Sequence, residues 1–168
     1  MRASMDTVTN LILIATCAAV VGLVAHKRFV PQVESAPAAF GKGEVVPSLT
    51  GVAYGDSAAT LVLVESSQCT FCTRSMPFYR KLATQLASRS RVRMIAVSRE
   101  PLDVTLKYLA SHDVPVHKAI QLTGGFGGVS MTPTLVLVGR DGRAVASWGG
   151  MLSPEEETKA LAAISLFL

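Results

Sequence analysis

Cysteine is scarce in this sequence: three in 168 residues. Three cysteines cannot build a disulfide scaffold. Two form a C-x-x-C pair, Cys69 and Cys72, and the third, Cys17, is isolated in an apolar N-terminal stretch. Charge is sparse and nearly balanced, with 16 Lys and Arg against 12 Asp and Glu. Aromatic residues do not interleave with basic ones and no binding motif occurs, which excludes nucleic acid as a partner. The basic residues Arg74, Arg80, Lys81, Arg89, Arg91 and Arg93 gather on and just after one helical pattern. They read as a solvated helix face, with acidic partners or a lipid surface as the other reading. A second pair of metal ligands is also missing. A structural zinc site needs about four ligands at matched spacings, and His112 and His117 do not supply such a pair.

One long apolar run is present, in residues 1–30. Val8 to Ala25 spans 18 residues with only Thr9, Asn10 and Thr16 polar. As a helix it would extend about 27 Å, just short of a hydrocarbon core of about 30 Å. That length lies between a signal-peptide core and a spanning helix. His26-Lys27-Arg28 follows Ala25 directly, and the small-x-small match Ala36-Pro37-Ala38 lies far downstream and contains Pro, a poor cleavage signal. An uncleaved transmembrane anchor is expected, with a signal peptide as the alternative. Arg2 favours a cytoplasmic N-terminus, while Lys27 and Arg28 favour the opposite. Cys17 reads as a small apolar packing residue. Residues 31–44, with Pro31, Pro37, Gly41 and Gly43, read as a flexible linker.

The domain expected over 45–168 is organised around Val62 to Pro77. Leu61 to Val64 is a continuous apolar run, suited to a strand covered on both faces. Phe78, Leu82 and Leu86 then recur at helical spacing, which puts the C-x-x-C pair in the first helical turn. A helix N-terminus has unpaired N–H groups and about half a positive charge. A thiolate there is stabilised, and the thiolate is the attacking form. Cys69, nearer the end, would attack a disulfide, and Cys72, one turn deeper, would resolve the product. Half of a metal site would read the same way.

The remaining chain alternates. Val92 to Ser98 reads as a strand, Pro101 to His112 as a helix, and Val114-Pro115-Val116 as the start of a short extended piece. Thr123 to Gly128 is a glycine-rich loop without the lysine and helix context of a phosphate cradle. Leu135 to Val138 and Ala144 to Trp148 read as strands joined by a turn at Asp141-Gly142. Ser153, Pro154 and Glu156 form a capping box for a last helix. The order β-α-β-α-β-β-α predicts a mixed sheet with helices on both faces.

These residues resemble the thioredoxin family over about 45–168. The likeness rests on the C-x-x-C pair, Pro77 five residues after Cys72, Thr132-Pro133-Thr134 before an apolar strand, and the Asp141-Gly142 turn with Gly149-Gly150 and a final helix. The extra length over about 99–128, with the N-terminal anchor, is similar to the membrane-tethered TlpA/ResA-like branch. The resemblance implies a thioredoxin-like α/β fold and a cis bond at Thr132-Pro133. It further implies that Thr132 and Pro133 form a loop that binds the substrate polypeptide. The sequence departs from the family at Thr70-Phe71 between the cysteines and at Gln68, where a Trp is usual.

Glu65 closes the apolar strand, on the same strand face as Leu63. Many relatives in that family bury an acid at the position of Leu63. Glu65 could take over as the proton acceptor for Cys72; the competing reading is a strand-end Glu in solvent or paired with an arginine.

The expected activity is thiol–disulfide exchange with protein substrates, using the Cys69–Cys72 disulfide and no organic cofactor. What the branch implies is a reductant in the maturation of exported proteins, held in the cytoplasmic membrane by one helix. Its domain would face the periplasm, and a membrane electron donor would restore its thiols. Two other readings stand beside it. One is a peroxide-reducing redoxin using Thr70 and Arg74. The other is a copper-carrying assembly factor with metal on Cys69, Cys72 and a histidine.

Overall fold

The chain divides into two units, residues 1–33 and 34–168. The structure, a computed structural model, describes residues 2–29, 39–87 and 91–168, with side chains of the first segment described over 9–22. Arg89 and most of the expected linker therefore lie outside the described residues.

The first unit carries one helix, α1 (Arg2–Phe29). Leu11, Ile14 and Val21 on it are exposed. Cys17 is exposed as well. Among the described residues, no helix is long and apolar enough to cross a membrane.

The second unit holds one five-stranded mixed sheet. Its elements are β1 (Ala59–Val64), α2 (Thr70–Ala87), β2 (Val92–Ser98), α3 (Leu102–Ser111), β3 (Lys118–Gln121), β4 (Thr134–Gly139), β5 (Ala144–Gly149) and α4 (Pro154–Ser165). Spatial order is β3-β2-β1-β4-β5, with β1, β2 and β3 parallel and β4 and β5 antiparallel to their neighbours. The strand β3 is absent from the expected order. It has four residues, is an edge strand, and buries only Ile120, so it leaves no apolar run in the sequence.

Strand alternation sorts the core into two clusters. Leu61, Leu63, Met94 and Leu137 face Met76 and Leu82 of α2, Leu109 of α3, and Ala160 and Ile164 of α4. Val62, Val64, Ile95 and Val136 face Phe40, Val46, Leu49, Tyr54 and Phe126. The three α-helices of this unit thus share one sheet face, and the other face carries only the single 3-10 turn Tyr54–Asp56, which corrects the expectation of helices on both. The reason is topological. The crossovers β1-α2-β2 and β2-α3-β3 step the same way across the sheet, and right-handed crossovers stepping the same way leave their helices on one side.

The opposite face is covered by irregular chain from Phe40 to Tyr54. Phe40 is 2 % exposed and packs edge-on against Phe126 at 5.8 Å. Gly43 and Val46 donate backbone bonds to Ala144 and Gly142. The packed domain therefore begins near residue 39 rather than 45. The expected extended piece at 45–49 makes only isolated bridges. The capping box of α4 forms as read from the sequence, with Ser153 accepting from Glu156 N–H and Glu156 accepting from Ser153 N–H.

Candidate active site

Three chain segments meet at one end of the sheet. The carboxyl ends of β1 and β2 lie there because the strands are parallel, with Val64 beside Val97. The start of β4 lies there because β4 runs the other way, placing Thr134 beside Val64. Ends of parallel strands leave loops that diverge into helices, and such crevices are where open α/β sheets bind ligands. Here they bring together residues 65–72, 98–100 and 131–133.

Cys69 stands just before α2. Its carbonyl accepts the first helical bond from Thr73 N–H at 3.1 Å, and its sulfur accepts from Cys72 N–H at 3.2 Å. The sulfur occupies the place of a capping oxygen and meets one of the helix's unpaired donors. The Cys69 thiol donates to the Thr132 carbonyl at 3.3 Å. Partial burial pushes its pKa up. Hydrogen bonds with Cys72 and Thr132, and the backbone N–H groups of Cys72 and Phe71, outweigh that effect and leave Cys69 below the ordinary thiol range. Cys72 is 0 % exposed. Burial, then its bond to Cys69 and the charge on that sulfur, push it up to about 12. Both are free thiols. The pair therefore comprises an accessible, acidic sulfur and an enclosed, proton-holding one.

Of the residues between them, Thr70 is exposed and Phe71 is 53 % exposed. Phe71 and Met131, exposed at the start of the facing loop, leave apolar surface near the outer sulfur. The Thr132–Pro133 bond is cis. Pro133 is buried and Thr132 half-buried.

Glu65 is 1 % exposed, and both its carboxyl oxygens are buried without a hydrogen-bond partner. The solvated or arginine-paired reading of this residue is thereby overturned. Burial, and secondly the charge of Glu100, raise it to about 7. No hydrogen bond joins it to Cys72. Glu65 lines a cleft of about 290 Å³ together with Ser66, Glu100, Phe126, Met131 and Thr132.

Several residues here carry no signal in the sequence. Glu100, past the end of β2, accepts from Ser66 and Ser67 hydroxyls and from Ser67 N–H. Tyr108 of α3 shares a hydrogen bond with the Thr73 hydroxyl at 3.1 Å. It sits near enough to Cys72, Glu65 and Cys69 that their charges, after burial, help raise its pKa. Only tertiary structure brings α3 to this place. The histidines are engaged elsewhere. His117 Nδ1 accepts from Met94 N–H, and His112 Nδ1 lies 2.9 Å from the Tyr108 carbonyl. Among the described residues, no group of three or more His, Cys, Asp or Glu could hold a metal ion. Two of the basic residues serve in packing: Arg80 donates to the His112 carbonyl, and Arg93 bonds Ala53 and Ser57 and pairs with Asp56.

A family model described as a thioredoxin-like domain matches residues 48–165. No curated protein matches the chain. Solved structures do. One from Bacteroides thetaiotaomicron, described as a protein disulfide isomerase, is 21 % identical with a TM-score of 0.61, over 77 % of this chain and 91 % of that one. One from Chlorobium tepidum, described as the thiol:disulfide interchange protein DsbE, is 20 % identical with a TM-score of 0.58, over 76 % and 97 %. A thiol:disulfide interchange protein from Bacteroides sp. is 16 % identical with a TM-score of 0.53, over 65 % and 82 %. At these identities the likeness is one of fold.

Proposed function

The chain belongs to the thioredoxin-like family, and from that premise we propose that it is a thiol–disulfide oxidoreductase whose couple is Cys69 and Cys72. The observation that carries this reading is the asymmetry of the pair. Cys69 is accessible, capped by Cys72 N–H and low in pKa, while Cys72 is fully buried and high.

The Cys69 thiolate attacks one sulfur of a substrate disulfide, forms a mixed disulfide and releases the other substrate sulfur as thiolate. Cys72 then gives up its proton and attacks Cys69. The Cys69–Cys72 disulfide forms, the mixed disulfide breaks, and the second substrate sulfur leaves and is protonated. Two electrons pass from the pair to the substrate. Glu65 is the proton acceptor in this proposal. Its carboxyl sits at the end of β1 with no competing partner, and its pKa of about 7 suits proton transfer near neutrality. Thr132 and Pro133 form the surface against which a substrate polypeptide lies, beside the Cys69 sulfur.

The cellular setting is part of the proposal. The exposed apolar residues of α1, from Leu11 to Val21, support a helix that tethers the domain to a lipid surface. A C-x-x-C domain so tethered belongs on the oxidising side of the cytoplasmic membrane, as a reductant of exported proteins recharged by a membrane dithiol donor.

The test is the reduction potential of the pair in the full chain, set against glutathione or dithiothreitol buffers. A value at or below about −250 mV supports a reductant. A value between about −120 and −180 mV would make it an oxidase or isomerase instead. Absence of a reversible two-electron couple would remove the oxidoreductase reading.

A further inference from the structure

The loop that delivers Cys69 has few restraints of its own. Ser66, Ser67 and Gln68 form a turn between β1 and α2. Inside that turn, Gln68 N–H donates to Ser66 Oγ and Cys69 N–H to the Ser66 carbonyl, both at 3.2 Å. Outside it, one side chain takes three donors. Glu100 Oε1 accepts from Ser66 Oγ at 2.8 Å and Ser67 Oγ at 3.1 Å, and Oε2 accepts from Ser67 N–H at 2.9 Å. Glu100 is itself anchored at the end of β2, where its N–H donates to Ser98 Oγ.

We propose that Glu100 is the positioning residue of this site, clamping the Ser66–Ser67 turn so that the Cys69 sulfur is held between Cys72 N–H and Thr132 and the Glu65 carboxyl stays enclosed. The assignment rests on the exchange reading above for its purpose, but not for its test.

The chemistry fits a clamp. Hydrogen bonds to a carboxylate are stronger than neutral ones, and three of them on one acid span both of its oxygens. Burial acts to raise the Glu100 pKa, but the bonds from Ser67 N–H and from the Ser66 and Ser67 hydroxyls hold it below the usual carboxylate range. The acid is thus an anion at neutral pH, and its charge contributes to keeping Glu65 protonated. The charged groups around it are Glu65 from the end of β1 and Arg99, which lines the same cleft.

An electrostatic role and a positioning role predict opposite signs. Removing a nearby negative charge alone would make the Cys69 thiolate easier to form. Releasing the turn would carry the sulfur away from its N–H donors and make the thiolate harder to form. The experiment is alkylation of Cys69 by iodoacetamide across a pH series in the full chain, with amide hydrogen exchange at Ser67. In Glu100→Ala the alkylation midpoint moves up, and Ser67 exchange accelerates by about tenfold or more, as expected for a lost bond to a charged acceptor. The double variant Ser66→Ala with Ser67→Ala keeps the Glu100 charge and the Ser67 N–H but removes two donors. Its midpoint also moves up, and it carries the test if Glu100→Ala fails to fold. An unchanged or lowered midpoint in the folded variants would overturn the clamp. Loss of the reversible couple in the unmodified protein would overturn the exchange reading while leaving this result standing.

Discussion

Val64 and Thr134 lie opposite each other across β1 and β4. That register decides where the chemistry can occur. It puts the last residue of β1 against the first of β4, so Cys69, five residues beyond one, meets Thr132, two residues before the other, at 3.3 Å. Both strands are buried throughout, six residues each. A slip by one residue would turn Leu61, Leu63, Leu135 and Leu137 onto the wrong face, which pins the register by burial. Core packing and site geometry are thereby one constraint.

The asymmetry of the two thiols leads to a first prediction. Iodoacetamide modifies Cys69 well before Cys72, at a pH below that for an ordinary thiol, because only Cys69 is both accessible and low in pKa. Cys69→Ser removes exchange activity. Cys72→Ser keeps the attacking sulfur and removes the resolving one, so mixed disulfides with protein substrates accumulate and show on non-reducing gels. Equal labelling of both cysteines would contradict the assigned order of attack.

A second prediction concerns the glycine-rich loop. Gly128 leaves room for backbone: a Cβ there would lie 2.7 Å from the Ala39 carbonyl oxygen. Gly127 has φ +53°, and a Cβ on it would lie 2.7 Å from the Phe40 ring. These glycines let residues 39–40 seal the sheet face that carries no α-helix. Gly128→Ala therefore destabilises the domain by about 1–3 kcal/mol through overpacking, read as a lower midpoint in urea. Gly124→Ala, where a Cβ meets nothing within 4 Å, is the control and stays near the unmodified value.

What is legible in the sequence follows from which forces leave local traces. The buried strands appear as apolar runs, α2 and α4 as helical spacing with Pro77 and a capping box, and the reactive pair as C-x-x-C at a helix start. Each is a short-range pattern. The edge strand β3 escapes such a reading because an edge buries one face and Lys118 and Gln121 are exposed. The one-sided placement of the helices escapes it because it follows from strand order, which no local pattern encodes. Glu65 is visible as a charge ending an apolar strand, but its burial is not. Glu100 and Tyr108 have no trace, since their role arises from bonds made across 33 to 35 residues.

The Glu65 carboxyl gives the third prediction, and stability and activity part company in it. Its pKa is about 7 in the folded protein against 4.5 for an ordinary glutamate, the value the unfolded chain takes. The folded chain therefore holds a proton that the unfolded chain has released between those values, and stability falls as pH rises from about 4.5 to about 7, then levels. The full loss for a shift of this size is about 3 kcal/mol. Glu65→Gln removes the titration. It unfolds at a higher temperature than the unmodified protein at pH 8, and the two converge near pH 4. The same change removes the proposed proton acceptor. Resolution of a mixed disulfide at Cys69, followed in single turnover at pH 8, slows by about 10²-fold or more. A variant that is stabilised but not slowed would leave Glu65 as a buried acid with a purely structural cost and would assign the proton of Cys72 to another group. A variant that is both stabilised and slowed fits a group kept at a cost in stability because the reaction uses it.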